Sequence, residues 1–543
     1  MMDKELEAEI HPLKQDDAAP QELSETQTEK DGSFKKAPHH SWCIQCRTII
    51  FFFLLFTCLF VVFIISFIIP CVEQPVSQKM WNINYDAAVT YDFMPIRDIN
   101  NNTIQDITFL YKDYNSSSLS VSCAEKGFSA PCTFLVAVSS SDGSLLWERP
   151  VAQDVAYMEC PDPQGKESPL SCFIVEKDNS LLSVDSSIGE ILWNKTWVFG
   201  HKATILSPFL SIPDVTGDEV KNLFLFTQMG NEITTYIFSS STGDQVGSLS
   251  NINLEGKVGY IMHITNTGAY YIIFHSASSL YGYSLKELYE KITGRKNVFE
   301  EDPHWKEMID SVTHRLPPSL SSGAIRYLMN VPGNTGNDIL LVKSDACELL
   351  NGQEFISKWT LSASEVMRKP VLGYYKPDAL TVVLENGSGV QRKILIVDVT
   401  SGAVLWNHTL TAFEGTPKSV TIRTADQHSA FFFWGSSNQT ETVDSQKNLY
   451  MFHPTFPDIL LELTNITKNI VAFNVLLEQN QHASYVLLTG PTSEDTPGLM
   501  SLSKQKVKEN ILNARVVWLG QARPESDQTI KNWFYELRYK RED

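Results

Sequence analysis

The chain has 543 residues, 43% of them apolar and 11% aromatic, with 44 Lys and Arg against 63 Asp and Glu, a formal charge of −19. That acidic balance, with no Lys/Arg run longer than two, argues against nucleic acid as a partner, because phosphate recognition needs a basic stripe. The length exceeds what one ordinary core needs, so several domains or one large repeat architecture must follow.

Residues 1–47 are polar, acidic in their first two-thirds and nearly free of aromatic and β-branched side chains, which reads as a disordered cytoplasmic tail. Ser24, Thr26 and Thr28 stand among acidic residues, which reads first as exposed hydroxyls and only second as phosphorylation sites. Cys43 and Cys46 form a C-x-x-C. A zinc site would need His39 and His40 at an unusual spacing, so S-acylation beside a membrane is the stronger reading.

Residues 48–69 are expected to form one transmembrane signal-anchor helix. From Ile49 to Ile69 the chain reads IIFFFLLFTCLFVVFIISFII, without charge, Gly or Pro, and Pro70 ends it. At about 1.5 Å per residue that run spans roughly 30 Å, the thickness of a bilayer's hydrocarbon core. A cleaved signal peptide fits poorly, since the run is too long and starts too late. Lys35, Lys36 and Arg47 precede the helix and Lys79 alone follows it closely, so the positive-inside bias places the N-terminus in the cytoplasm. The expected product is a type II membrane protein at the cell surface.

Residues 70–79 read as a juxtamembrane linker. Every Asn-x-Ser/Thr sequon lies beyond the helix, at Asn101, Asn115, Asn194, Asn386, Asn407, Asn438 and Asn465. Six of the nine cysteines do too, which suits an oxidising, glycosylating compartment. Cys123 with Cys132 and Cys160 with Cys172 bracket short loops and are the expected disulfides, though four cysteines allow three connectivities. Cys71 lies where it could pair between chains, and Cys347 has no evident mate.

Residues 80–520 are rich in aromatic and β-branched residues and point to an all-β ectodomain. They also repeat. SSSDGSLLWERP (Gly143, Trp147), DSSIGEILWNKT (Gly189, Trp193) and DVTSGAVLWNHT (Gly402, Trp406) share a turn with Gly and a Trp four residues on. Weaker copies are SSSTGDQVGSLS, with Gly247 in the Trp position, and LLNGQEFISKWT, with Gly352 and a displaced Trp359. The Gly supplies the positive φ of a tight hairpin, and the Trp is expected to pack between neighbouring sheets. Spacings near 50 residues mean propeller blades or a comparable array, seven or eight of them.

This signature resembles the quinoprotein-like repeat. A second element resembles the FG-GAP repeat of integrin α chains: Asp98, Asn100, Asn102 and Asp106 in one loop, and Asp214, Thr216, Asp218 and Asn222 in another, with remnants at Asn330, Asn334, Asp338 and Asp378. Alternating oxygen ligands suit a structural calcium ion; the bland alternative is that these side chains hold the turn by accepting from its own amides. Taken with the anchor, the opening MMDKELEAEIHPLK and phrases such as RPVAQDVA, SAFFFWG and LYMFHPT, the chain resembles the "family with sequence similarity two-three-four" group of FG-GAP-repeat-containing membrane proteins. The resemblance implies a single-pass type II glycoprotein with a β-propeller ectodomain.

The segment from Leu285 to Pro318 fits the repeat worst, with LKELYEKITG reading as a helix on an excursion. Residues 521–543 read as a C-terminal helix and tail, with Ile530, Phe534 and Leu537 on one face. No G-x-S-x-G, H-E-x-x-H, phosphate loop or dinucleotide fingerprint occurs, so no enzyme is expected and no cofactor beyond that calcium. The expected role is adhesion, reception or scaffolding, through an extracellular protein or glycan partner. Alternatives are an accessory subunit of a membrane complex and, remotely, a quinone-dependent dehydrogenase.

Overall fold

The computed structural model describes residues 41–68 and 77–541, apart from 101, 103, 116, 162–170, 197, 201, 297, 334–335, 364, 378, 389–390, 412, 414 and 437–445, and apart from the side chains of 41–48, 65–68, 117–119 and 388. It divides into two units, residues 1–74 and 75–543.

In the first unit, helix α1 runs Ser41–Ile68. It starts within the stretch read as tail, because no Gly or Pro interrupts the sequence between Pro38 and Pro70, the two residues that break helices there. Every described side chain on it, from 49 to 64, is exposed.

The second unit is a succession of antiparallel meanders. One sheet holds Val155–Glu159, Ser171–Glu176, Leu181–Asp185 and Ile191–Lys195; the next holds Thr204–Ile212, Asn222–Met229, Glu232–Phe238 and Ser250–Asn253. A three-stranded sheet, Val258–Ile264, Tyr270–Ser276 and Ser279–Ser284, precedes another four, Ile325–Pro332, Asn337–Lys343, Ala346–Leu350 and Ser357–Ser362. Val371–Lys376, Ala379–Ser388, Gln391–Asp398 and Val404–Thr411 then meet Val420–Arg423, Ser429–Ser436, Lys447–Phe452 and Ile459–Ile466 through the single pair Thr411 and Ser436. Arg515–Trp518 adds to the edge of the last of these.

The ends of the unit are joined. Met80–Thr90 pairs along its first half with Gly498–Lys506, the partner of Ala483–Thr489 and Ile470–Leu477. Its last three residues pair with Asp106–Asp113, which leads on to Thr133–Val138 and Leu145–Ala152. The closure begins before Met80: Lys504 Nζ and Lys506 Nζ donate to Ser77, and the Gln78 amide donates to Ser141 O at 2.7 Å. Residues 77–79 are therefore held by the sheets rather than forming linker.

Middle strands such as Thr133–Val138, Ser429–Ser436 and Ala483–Thr489 are buried at every position, while the outer strand Ser357–Ser362 alternates. A strand covered on both faces needs a continuous apolar run, and one at a rim needs only a single apolar face. Among the described residues, eight apolar clusters fill the spaces between consecutive meanders; one unites Phe109 and Val136 near the start with Val486 and Leu502 near the end.

Helices α2 (Ser117–Glu125), α3 (Leu285–Thr293), α4 (Pro303–Met308), α5 (Val507–Asn513) and α6 (Asp527–Glu536) decorate the sheets. The stretch read as an excursion carries no strand among its described residues, and its two helices pack on the neighbouring sheets. Ser284 Oγ caps α3 by accepting from Glu287 N, Gly294 ends it, and Trp305 of α4 is fully buried against Tyr271 and His263. The three-stranded sheet leaves room that these apolar side chains fill. Ile530, Phe534 and Leu537 of the C-terminal segment are buried in one cluster with Trp434 and Tyr485, and Tyr539 bridges to Thr424.

Candidate functional site

The repeated Gly and Trp do not meet inside one hairpin; each Trp reaches the next meander. Gly189 lies at φ 74°, a backbone region that side chains disfavour, and a Cβ there would stand 2.4 Å from the Trp147 ring. Trp81 lies on Gly143, Trp193 on Gly243 and Trp359 on Gly402 in the same way. In three of these pairs the indole N–H also donates to the carbonyl three residues before the glycine, Trp81 to Ser140 O at 3.0 Å, Trp193 to Ser240 O at 2.9 Å and Trp359 to Val399 O at 2.6 Å, whereas the buried Trp147 Nε1 makes no hydrogen bond. Trp406 donates to Pro457 O at 2.8 Å. Trp359 thus makes the regular contact, on Gly402, although it is displaced along the chain from its own hairpin's Gly352. At Gly247, where Trp is missing, α3 takes its place: Ser248 N donates to Ile292 O at 2.8 Å.

The two oxygen-rich loops are bonded to themselves. Asp98 Oδ1 and Asn100 Oδ1 accept from Asn102 N at 3.1 and 3.2 Å, Asn102 Oδ1 accepts from Ile104 N at 2.8 Å, and Asp106 Oδ2 accepts from Ile99 N at 3.2 Å. Asp106 is fully buried, with Oδ1 making no hydrogen bond. Burial, with a smaller push from the Asp98 charge, raises its carboxyl to about 6 against the opposing Ile99 amide.

In the second loop Asp214 accepts from the amides of Thr216, Gly217 and Glu219, each at 2.8 Å. Asp218 accepts from Thr216 Oγ1 at 2.9 Å and from the Ser241 hydroxyl, and Asn222 Oδ1 accepts from Val215 N at 2.6 Å. Desolvation works against ionisation of Asp214, but the three amides outweigh it and hold the carboxyl below its usual range. The turn-holding role is therefore filled in both loops. In the weaker copies Asn330 Nδ2 donates to Met262 O and Asp338 accepts from Lys358 Nζ; Asn334 and Asp378 lie outside the described residues.

Disulfides join Cys123 to Cys132 and Cys160 to Cys172. Cys347 is a buried free thiol, pushed up to about 12 first by desolvation and then by Glu348. Among the sequons, Asn115, Asn194, Asn407 and Asn465 are exposed and Asn386 is half-buried. Asn194 and Asn407 follow Trp193 and Trp406 on the fourth strands of their meanders. Asn101 and Asn438 lie outside the described residues. Cys43 and Cys46 fall in the first turns of α1, where side chains are outside the described ones.

Two further features escape a reading of the sequence. A cleft of about 630 Å³ opens among Asp310, Arg315, Pro317, Ser319 and Ser321. Asp426, His428 and His453 gather three candidate ligand atoms within 4.8 Å of one another. Asp426-x-His428 is a short-range signal in the sequence, but nothing local announces that His453, from the following hairpin, joins it.

Stacked antiparallel meanders whose first strand completes the last sheet, each clamped to a neighbour across its face, define a β-propeller. The chain belongs to the FAM234A/B beta-propeller family, whose model matches residues 81–540. It is 50% identical over 548 residues to Protein FAM234A of Homo sapiens, covering 99% of each chain, and 48% identical over 551 residues to Protein FAM234A of Rattus norvegicus, covering 100% of each. Among solved structures, the WD40 domain of SCAP from fission yeast aligns with a TM-score of 0.45 at 9% identity, over 79% of this chain and 98% of that one.

Proposed function

We propose that the chain is a single-pass type II membrane glycoprotein at the cell surface, whose propeller is a non-enzymatic binding module for an extracellular protein or glycan. The observation that carries the membrane reading is α1. From Ile49 to Ile64 its Phe, Leu, Ile and Val side chains point outward on all sides, from 40% exposed at Ile64 to 70% at Phe53. Each such side chain gains about 1.5–3 kcal/mol when fully removed from water, so a bare cylinder of them calls for lipid. Counted over the described side chains alone, no helix is long and apolar enough to cross a membrane. The helical sequence continues as ISFI to Ile68, which brings the apolar run to bilayer length.

The sidedness rests on Lys35, Lys36 and Arg47 before the helix, and on disulfides and exposed sequons confined to the chain after it. Eight blades are supported by the eight apolar clusters, one between each consecutive pair of meanders, with the eighth joining last to first.

The test is enzymatic removal of N-glycans from the full chain in intact cells, paired with proximity labelling from a C-terminal tag. Deglycosylation should increase gel mobility, and labelling should recover a reproducible extracellular partner. Unchanged mobility, or only cytosolic neighbours, would sink the reading. A multispanning membrane protein as sole neighbour would favour the accessory-subunit role.

A further inference from the structure

Two consecutive hairpins, Val420–Arg423 to Ser429–Ser436 and Lys447–Phe452 to Ile459–Ile466, place their turns beside α6. The first turn supplies Asp426 and His428 and the second His453. Asp426 Oδ2 lies 3.4 Å from His428 Nδ1 and 3.6 Å from His453 Nε2. Both separations exceed an ordinary N–H···O bond of about 2.9 Å. They match the edge of a tetrahedron, roughly 3.3 Å when oxygen and nitrogen stand about 2.0–2.1 Å from a central zinc.

A second observation points the same way. His428 Nδ1 is buried and makes no hydrogen bond, a situation that costs about 1–3 kcal/mol unless something relieves it. Asp426 Oδ1 is engaged by Thr424 Oγ1 at 2.6 Å and by the His428 amide at 3.3 Å, which leaves Oδ2 turned toward the rings. The His453 ring is fully buried and packs on Trp533, with centroids 5.0 Å apart.

We propose that Asp426, His428 and His453 form a binding site for a divalent transition metal, zinc in the first place, which clips the two turns together beneath α6. Two imidazoles and one carboxylate are a zinc-type donor set, and three protein ligands leave a fourth corner for water. Asp426 is exposed and His453 is fully buried, so the cluster sits where the core meets solvent. The metal replaces the 3.3 Å contact between His453 Nε2 and Thr424 Oγ1. It also requires the ring proton on Nδ1, where the Thr455 amide now points from 3.4 Å, so the turn at 453–455 yields slightly on loading. The two imidazole nitrogens are the widest pair, within 4.8 Å of each other, so loading also draws the half-buried His428 ring toward an edge of roughly 3.3 Å.

The experiment uses the purified full chain stripped with chelator. Zinc should be retained through gel filtration at one ion per chain and should raise the melting temperature. Cobalt in its place should give the visible absorption of tetrahedral coordination. H428A and D426N should each bind zinc at least about tenfold more weakly and lose the thermal response, as removal of a ligand predicts. Should H428A fail to fold, D426N at its more exposed position and the cobalt spectrum of the unaltered chain still decide. No retained zinc, no cobalt band, or equal retention by both variants, which would place the ion on others of the 12 histidines, each overturns the site.

Discussion

Asp106 shows how one side chain can serve two roles that the sequence does not separate. Its position in a loop of alternating oxygen donors reads as a cation ligand, yet the fold seats it out of water with one oxygen on the Ile99 amide. Because burial raises its carboxyl to about 6 from an ordinary value of 3.8, the folded chain holds a proton that the unfolded chain has released between those two values. Stability is then greatest below the unfolded value and falls as pH rises through about 6, by at most about 3 kcal/mol for a shift of this size. Asp106→Asn should flatten that segment of a plot of melting temperature against pH. Calcium in the Asp98 loop favours the ionised carboxylate, so added calcium should move the step to lower pH, and chelator should restore it. A step indifferent to both would leave the loop with its turn-holding role alone.

Between elements, the recurrent contact is a tryptophan on one meander against a glycine hairpin on the next. Gly189→Ala adds a methyl group where the Trp147 ring already lies and where φ is positive. Left-handed strain of about 1 kcal/mol and overpacking of about 1–3 kcal/mol together predict a loss of about 2–4 kcal/mol, read as a lower urea midpoint. The Gly and Trp were legible in the sequence at fixed spacing, but their pairing was not, because the partners lie 42 to 62 positions apart. The helical insert shows the converse. LKELYEKITG carries its own start and stop signals, Ser284 and Gly294, so α3 could be read locally. That it packs where a strand and a tryptophan were missing depends on the neighbouring sheet.

At the scale of the molecule, the propeller is held shut by strands from both ends of the chain. Trp81, on the first strand, docks on Gly143 in the meander that follows in sequence, while the first half of its own strand completes the last meander beside Gly498–Lys506. Trp81→Ala should cost about 3–5 kcal/mol, as large-to-small changes at buried aromatics do. Hydrogen exchange should quicken selectively in Met80–Thr90 and Gly498–Lys506. Trp406→Ala should cost a similar amount while leaving exchange in those two strands unchanged; equal responses would mean that closure has no special dependence on Trp81. Lys504 and Lys506 around Glu478, with Ser77 beside them, reinforce the same seam. The amino-acid sequence alone determined the apolar helix, the repeat with its glycines and tryptophans, and the short cysteine-bracketed loops, since each depends on residues near one another along the chain. Only the tertiary structure decided which meander each tryptophan reaches, how the ends meet, and that Asp426, His428 and His453 converge. Those contacts join residues from different sheets or hairpins, and no local preference encodes a distance that the folded ring alone brings to a few ångströms.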